Sequence, residues 1–219
     1  MIRAVLFDLD GTLADTERLQ WQAYDRALAA HGVHVPLDVY RRRFIAAAGG
    51  AEWAIAAHGL AVTPVELRAA KARAYRAIIA AGVAPMPGAR AALERLRPTR
   101  ALAVATNSVR DEVAIILDQL GIAALLDVVV AREDYAAAKP APDAYLVAAA
   151  RLGCPPAECV VVEDTPRGLQ AGRAAGMRVV AVPSDLTADQ DFTGATRVLP
   201  YLDALTPALL DAIAEDPAA

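Results

Sequence analysis

Five short apolar runs punctuate the chain: Ala4–Phe7, Leu102–Ala105, Val128–Ala131, Val160–Val162 and Val179–Val182. None alternates with polar residues. Each therefore predicts a strand buried on both faces, as in a parallel sheet covered by helices. Helical spacing fills most of the gaps. Val113, Ile116, Leu117 and Leu120 recur at i, i+3, i+4 and i+7, behind a capping-box pattern at Ser108 and Asp111 and before Gly121. Ala144–Leu152 runs to Gly153, with Asp143 expected as its cap. Arg167–Ala175 starts behind Pro166 and stops at Gly176. Alternating strands and helices imply right-handed crossovers. The expected fold is α/β: an open parallel-sheet, Rossmann-like core with helices on both faces.

One interval breaks the rhythm. Between Phe7 and Leu102 the pattern is helical. Trp21, Tyr24 and Leu28 mark one face of a helix that starts near Asp15-Thr16. Thr63-Pro64-Val65-Glu66 is a capping box with Pro at the first helical position, opening a helix to about Ile79. Pro85-Met86-Pro87-Gly88 turns the chain back. A helical insertion is expected over 15–85, with the core formed by 1–14 and 86–219.

Composition narrows the function. Of 219 residues, 56% are hydrophobic, which supplies a core and excludes disorder. Lys plus Arg number 22 against 26 Asp plus Glu, so no basic surface is expected for nucleic acid or an acidic membrane. Cys154 and Cys159 are too few for a disulfide framework and form no Cys-x-x-Cys pair, which fits a reducing, cytoplasmic compartment. Met1–Asp8 reaches an acid after one short apolar run, so it is not expected to be a signal peptide, and no run approaches a membrane span.

Four polar clusters follow strand candidates: Asp8-Leu9-Asp10-Gly11-Thr12, Thr106-Asn107-Ser108, Lys139-Pro140 and Glu163-Asp164. Ligands of open α/β sheets bind beyond the carboxyl ends of the strands, so these pieces should meet in one crevice. Two like charges about 4 Å apart cost about 4 kcal/mol at an effective dielectric of roughly 20. Asp8, Asp10, Glu163 and Asp164 together therefore call for a cation. Carboxylates and a backbone carbonyl are hard oxygen ligands, which suit Mg²⁺. With Lys139 and the donors of Thr106 and Asn107, such a site suits a phosphoryl group. A carboxylate can attack phosphorus, and a second acid two residues on can protonate the leaving oxygen and then activate water.

The four clusters, in this order, resemble the motifs of the haloacid dehalogenase superfamily, and the likeness covers nearly the whole chain. The insertion resembles the helical cap domain of the subgroup with phosphoglycolate phosphatases, β-phosphoglucomutases and sugar-phosphate phosphatases. The resemblance implies roles. Asp8 would be nucleophile and metal ligand. Asp10 would be general acid/base, its backbone carbonyl on Mg²⁺. Thr106 and Asn107 would bind the phosphoryl group, and Lys139 would neutralise Asp8 and phosphate. Asp164 would bind Mg²⁺, with Glu163 as ligand or support, and Thr12 would steady the first loop. The expected activity is Mg²⁺-dependent hydrolysis of a small phosphomonoester, a sugar phosphate or phosphoglycolate-like acid, through an aspartyl-phosphate. The expected partner is a small phosphorylated metabolite, without nucleic acid or membrane. The oligomeric state is open, a monomer being compatible with the sequence.

Plainer readings stand beside these. Asp10-Gly11 alone reads as a turn, Ser108 as a helix cap, and Lys139 alone as a solvated loop residue. His31, His34 and His58 lack ligand spacing, and Arg41-Arg42-Arg43 reads as a solvated helix face that could guide anions. Trp21 and Tyr24 read as core. Neither Ser108 nor Ser184 sits in Gly-x-Ser-x-Gly, which disfavours a serine hydrolase. A phosphomutase is an alternative, but Gln20 and Ala51 stand where β-phosphoglucomutases carry His and Arg. A dehalogenase lacks the second acid. A phospho-receiver signalling domain is the alternative from another class, but it is shorter and carries its phosphorylated Asp apart from its acidic pair.

Overall fold

The computed structural model describes residues 1–47 and 49–215. Residue 48 and residues 216–219, which the expected domains include, lie outside the described residues. The chain forms two compact units. One comprises Met1–Asp15 and the chain from Ala84 onward; the other is Thr16–Val83.

The second unit is helical: α1 (Glu17–Ala29), α2 (Leu37–Tyr40), α3 (Gly50–His58) and α4 (Pro64–Ala81), with a π-helical turn at Arg41–Ile45. Its α4 starts as its capping box predicts. Glu66 N–H donates to Thr63 Oγ1 at 3.2 Å, and Thr63 N–H donates to the Glu66 carboxylate at 2.8 Å. Helix α1 packs on α4. Tyr24 meets Tyr40 and Phe44 within this unit, and Trp21 Nε1 donates to Val35 O at 2.7 Å, so both aromatics are packing residues here. Arg42 pairs with Asp38 and Arg43 lies over Trp53. His34 faces Asp25 and His58 faces Trp53. Ala51 is buried in α3.

The first unit holds a parallel sheet of β1 (Ala4–Phe7), β2 (Ala101–Ala105), β3 (Val128–Val130), β4 (Cys159–Glu163), β5 (Arg178–Ala181) and β6 (Arg197–Val198). Their order is β3-β2-β1-β4-β5-β6. The five expected strands are all present. The sixth is a two-residue exposed edge whose Arg-Val pair carries no apolar run to reveal it. The helices are α5 (Ala89–Leu96), α6 (Arg110–Leu120), α7 (Asp143–Leu152), α8 (Pro166–Ala174) and α9 (Pro207–Glu215). Ala4, Leu6, Ala103, Ala105 and Val161 point to one face, where they pack with Ala144, Tyr145, Ala148 and Ala149 of α7 and Leu169 and Ala171 of α8. The alternate residues Val5, Phe7, Leu102, Val104, Val160 and Val162 are buried on the other face, and α5 packs on β2. Such completely buried strands explain the unbroken apolar runs. Cys154 and Cys159 are free and buried, and burial pushes the Cys159 thiol up to about 12.

Two capping expectations fail. Helix α6 begins after Val109, whose side chain caps nothing; the Arg110 N–H donates instead to Glu133 of a neighbouring turn, at 3.0 Å. Asp143 is the first residue of α7 rather than its cap, and accepts from Ala137 N–H at 3.0 Å. At α6 a long-range acceptor takes the place of the local one, while at α7 the expected cap accepts from a donor outside the helix.

Candidate active site

The strand order reverses between β1 and β4, so the crevice beyond their carboxyl ends is the place for a ligand. The register sets the site. Phe7 pairs with Val162, and Asp8 N–H donates to Val162 O at 2.9 Å. Asp8 therefore leaves β1 beside Glu163, the last residue of β4, with Asp164 next. The loop after Asp8 turns back at once, with Gly11 N–H on Ala14 O at 2.8 Å. Gly11 sits at φ +78°, and a Cβ there would lie 2.2 Å from Asp164 Oδ2. Only glycine gives both the left-handed turn and that close approach. Thr12 Oγ1 completes the loop against Asp164 Oδ1 at 3.4 Å.

Lys139 comes from the loop after β3 and is only 4% exposed. Its Nζ donates to Asp8 Oδ1 at 2.5 Å, Glu163 Oε1 at 2.7 Å and Tyr145 OH at 2.8 Å. Its backbone is held too. The N–H donates to Asn107 Oδ1 at 3.1 Å, and the carbonyl accepts from Arg167 at 2.6 Å. The Lys139–Pro140 peptide is cis. Lys139 thereby ties all four motifs together.

Thr106 directly ends β2, and its hydroxyl donates to Asp10 Oδ2 at 3.3 Å. Ser108 donates to the same oxygen at 2.6 Å, so the residue read as a helix cap belongs to this site. Asn107 is exposed beside it. Its Oδ1 also accepts from Tyr135 OH at 2.8 Å, which leaves its amide group for other partners. Ser108, Tyr135, Tyr145 and Arg167 are the residues sequence reasoning missed. Adjacency to Thr106-Asn107 pointed to Ser108; nothing in the spacing pointed to the other three.

Among the described residues, Asp8, Glu163 and Asp164 offer carboxylate oxygens within 4.8 Å of one another, all buried. Asp10 is not in that group. Lys139 lies against two of these carboxylates, Asp8 and Glu163. Burial pushes the Asp8 carboxyl well above its usual range; Lys139 pulls it down, while Glu163 and Asp10 push it further up. Burial opposes the Lys139 ammonium, but Asp8 and Glu163 outweigh it and hold the charge above its ordinary range. The three carboxylates could hold a divalent cation, and hard oxygen donors of this kind suit Mg²⁺. Glu163 is the least free of the three. Its Oε1 is taken by Lys139 and Tyr145, and its Oε2 accepts from Asp164 N–H, Thr165 N–H and Thr165 Oγ1 at 3.2, 3.3 and 3.1 Å.

Comparison with known proteins agrees with this geometry. The family model for haloacid dehalogenase-like hydrolases matches residues 2–176. Protein CbbY of Rhodobacter capsulatus is 37% identical over 215 residues, covering 93% of this chain and 95% of the relative. The fructose-1-phosphate phosphatase YqaB of Escherichia coli is 34% identical, covering 81% of this chain and 95% of the relative. The crystal structure of CbbY from Rhodobacter sphaeroides in complex with phosphate superposes with a TM-score of 0.83 at 32% identity, over 96% of this chain and all of that one. A mutant of that protein was solved in complex with xylulose-(1,5)bisphosphate. Motifs gathered at one sheet edge and likeness along most of the chain lead to one conclusion: the protein is an enzyme that belongs to the haloacid dehalogenase-like hydrolase family.

Proposed function

We propose that the protein is a Mg²⁺-dependent phosphatase that hydrolyses a small sugar phosphate, or a phosphoglycolate-like ester, through an aspartyl-phosphate on Asp8. The observation that carries this reading is the Lys139 ammonium set 2.5 Å from Asp8 and 2.7 Å from Glu163 where β1 and β4 end. The substrate class draws on the relatives that act on or bind phosphorylated ketoses.

Asp8 and Asp164, with the Asp10 carbonyl, would hold the ion, and Glu163 serves by fixing Lys139. When bound, Mg²⁺ neutralises the carboxylates and polarises the phosphoryl oxygens. An Asp8 oxygen attacks phosphorus and the bond to the ester oxygen breaks. Asp10, protonated, gives its proton to that leaving oxygen. Asp10 as carboxylate then takes a proton from water, whose oxygen attacks phosphorus; the Asp8–phosphorus bond breaks and phosphate leaves. The Asn107 amide binds the phosphoryl oxygens, joined by the Thr106 hydroxyl once it turns its proton from Asp10. All three Lys139 N–H groups are spent on protein oxygens, so it acts on phosphate by charge. Ser108 holds the acid/base in place. In this reading the helical unit Thr16–Val83 is the cap domain and carries substrate selectivity.

Phosphate release from a panel of phosphomonoesters, with and without Mg²⁺, tests the proposal. Sugar phosphates should give the highest kcat/KM, and only with the metal. Conversion of glucose 1-phosphate to glucose 6-phosphate with little free phosphate would instead indicate a mutase; buried Ala51 supplies no cation for a second phosphate.

A further inference from the structure

Tyr145 lies six residues beyond Lys139, on the buried face of α7, and is fully buried. Its hydroxyl donates to Glu163 Oε1 at 2.7 Å, which leaves its oxygen to accept from Lys139 Nζ at 2.8 Å. The same ammonium sits 4.5 Å from the Tyr145 ring centroid. An ammonium has three protons. Asp8 and Glu163 take two, and in so buried a place the third needs an acceptor. Tyr145 supplies it, and closes a triangle in which every proton has one direction. Burial, with Glu163 and Asp8 adding to it, keeps the phenol well above its usual range and hence in the donor form. The backbone is as fixed as the side chain, because Ala144, Ala148 and Ala149 seat α7 against the sheet.

From this geometry we infer that Tyr145 is a positioning residue of the phosphoryl-transfer site: it orients the Lys139 ammonium toward Asp8 and so sets the nucleophile's aim. The inference rests on the reading of Asp8 as nucleophile, but concerns a group that touches no substrate. Its effect should fall on kcat, because Lys139 aligns the attacking oxygen, and not on KM.

The test is Tyr145→Phe, which keeps the ring and its packing. Two measurements are made. The first is steady-state phosphate release at saturating Mg²⁺. The second, on metal-free and substrate-free protein with ¹⁵N-labelled lysine, is proton exchange at the Lys139 Nζ resonance, assigned by its loss in Lys139→Met. The expected result is a kcat lower by about 10- to 100-fold at unchanged KM. The Lys139 resonance should be sharp in the wild type and exchange-broadened in the variant, with Tm changed little. A protected resonance in Tyr145→Phe with kcat within about twofold of wild type overturns the inference. So does a kcat loss that tracks a collapse in Tm while the resonance stays protected, since Tyr145 then only packs. If the wild type releases phosphate from no ester, the functional reading has failed, and the resonance alone decides whether Tyr145 holds Lys139.

Discussion

The Glu163 carboxylate fills the space in which a side chain at Gly168 would begin: a Cβ there would lie 1.8 Å from Glu163 Cδ. Gly168 is in the first turn of α8, and its N–H donates to Thr165 Oγ1 at 3.2 Å. Gly168→Ala must therefore move either Glu163, and with it Lys139, or the start of the helix. The expected cost is about 1–3 kcal/mol of stability, with kcat reduced by at least about tenfold. Urea unfolding and phosphate release check the two effects separately. A variant normal in both would show that the helix and the carboxylate are not in contact.

Asp8 and Asp10 carry different tasks, and their amides should fail differently. Asp8→Asn removes the nucleophile, so no turnover and no phosphorylated protein should be detected by mass spectrometry after substrate is added. Asp10→Asn retains the nucleophile but has no proton to give or take, and should lose about 10²- to 10⁴-fold in kcat. Full activity in either variant would remove that residue from its role.

Much of this arrangement was legible in the chain, and the limits are physical. Strands buried on both faces announce themselves as apolar runs, and acids at their ends cannot be left without partners, so Asp8, Glu163 and Asp164 stood out. Thr63 and Glu66 satisfy each other within four residues, which made that cap readable. Ser108 and Asp111 show the same local pattern, yet Ser108 turns to Asp10 across 98 residues of sequence. Tyr145 was hidden for a related reason. On an apolar helical face a tyrosine is indistinguishable from core until its hydroxyl is seen beside Lys139.

Ser108 Oγ lies nearer Asp10 Oδ2 than Thr106 Oγ1 does, at 2.6 Å against 3.3 Å. Ser108→Ala should deprive the acid/base of this shorter hydrogen bond. A hydrogen bond to a charged group contributes about 1.5–3 kcal/mol, so kcat should fall by at least about tenfold. An unchanged kcat would make this contact incidental.

Asp134 links β3 to the Lys139 loop. Arg110 and Arg151 reach its Oδ1 at 2.6 and 2.8 Å, and Ala131 N–H reaches Oδ2 at 2.8 Å. The Arg151 hydrogen bond, with help from the Ala131 N–H and Arg110, holds this carboxyl far below its ordinary 3.8 despite burial. Because the folded value is depressed, its stabilisation is complete above the unfolded value and disappears as pH falls through the folded one. Asp134→Asn should cost about 1 kcal/mol at neutral pH, and the gap from wild type should narrow steadily below about pH 4. Denaturant unfolding across that range measures it; a gap independent of pH would refute the assignment.

The buried acids also set how stability responds to metal. Without a cation, the carboxylates of Asp8, Glu163 and Asp164, whose oxygens lie within 4.8 Å of one another, repel. Chelation should abolish phosphate release, and added Mg²⁺ should restore it. Binding to the folded state alone contributes about 2.7 kcal/mol at 100 times Kd, so Mg²⁺ should raise the wild-type Tm by several degrees. Asp164→Asn removes one of the repelling charges together with a ligand. It should therefore gain little Tm on adding Mg²⁺ and need far more metal for any turnover. An Asp164→Asn protein whose Tm rises with Mg²⁺ as much as that of wild type would mean that Asp164 is not a ligand of the ion.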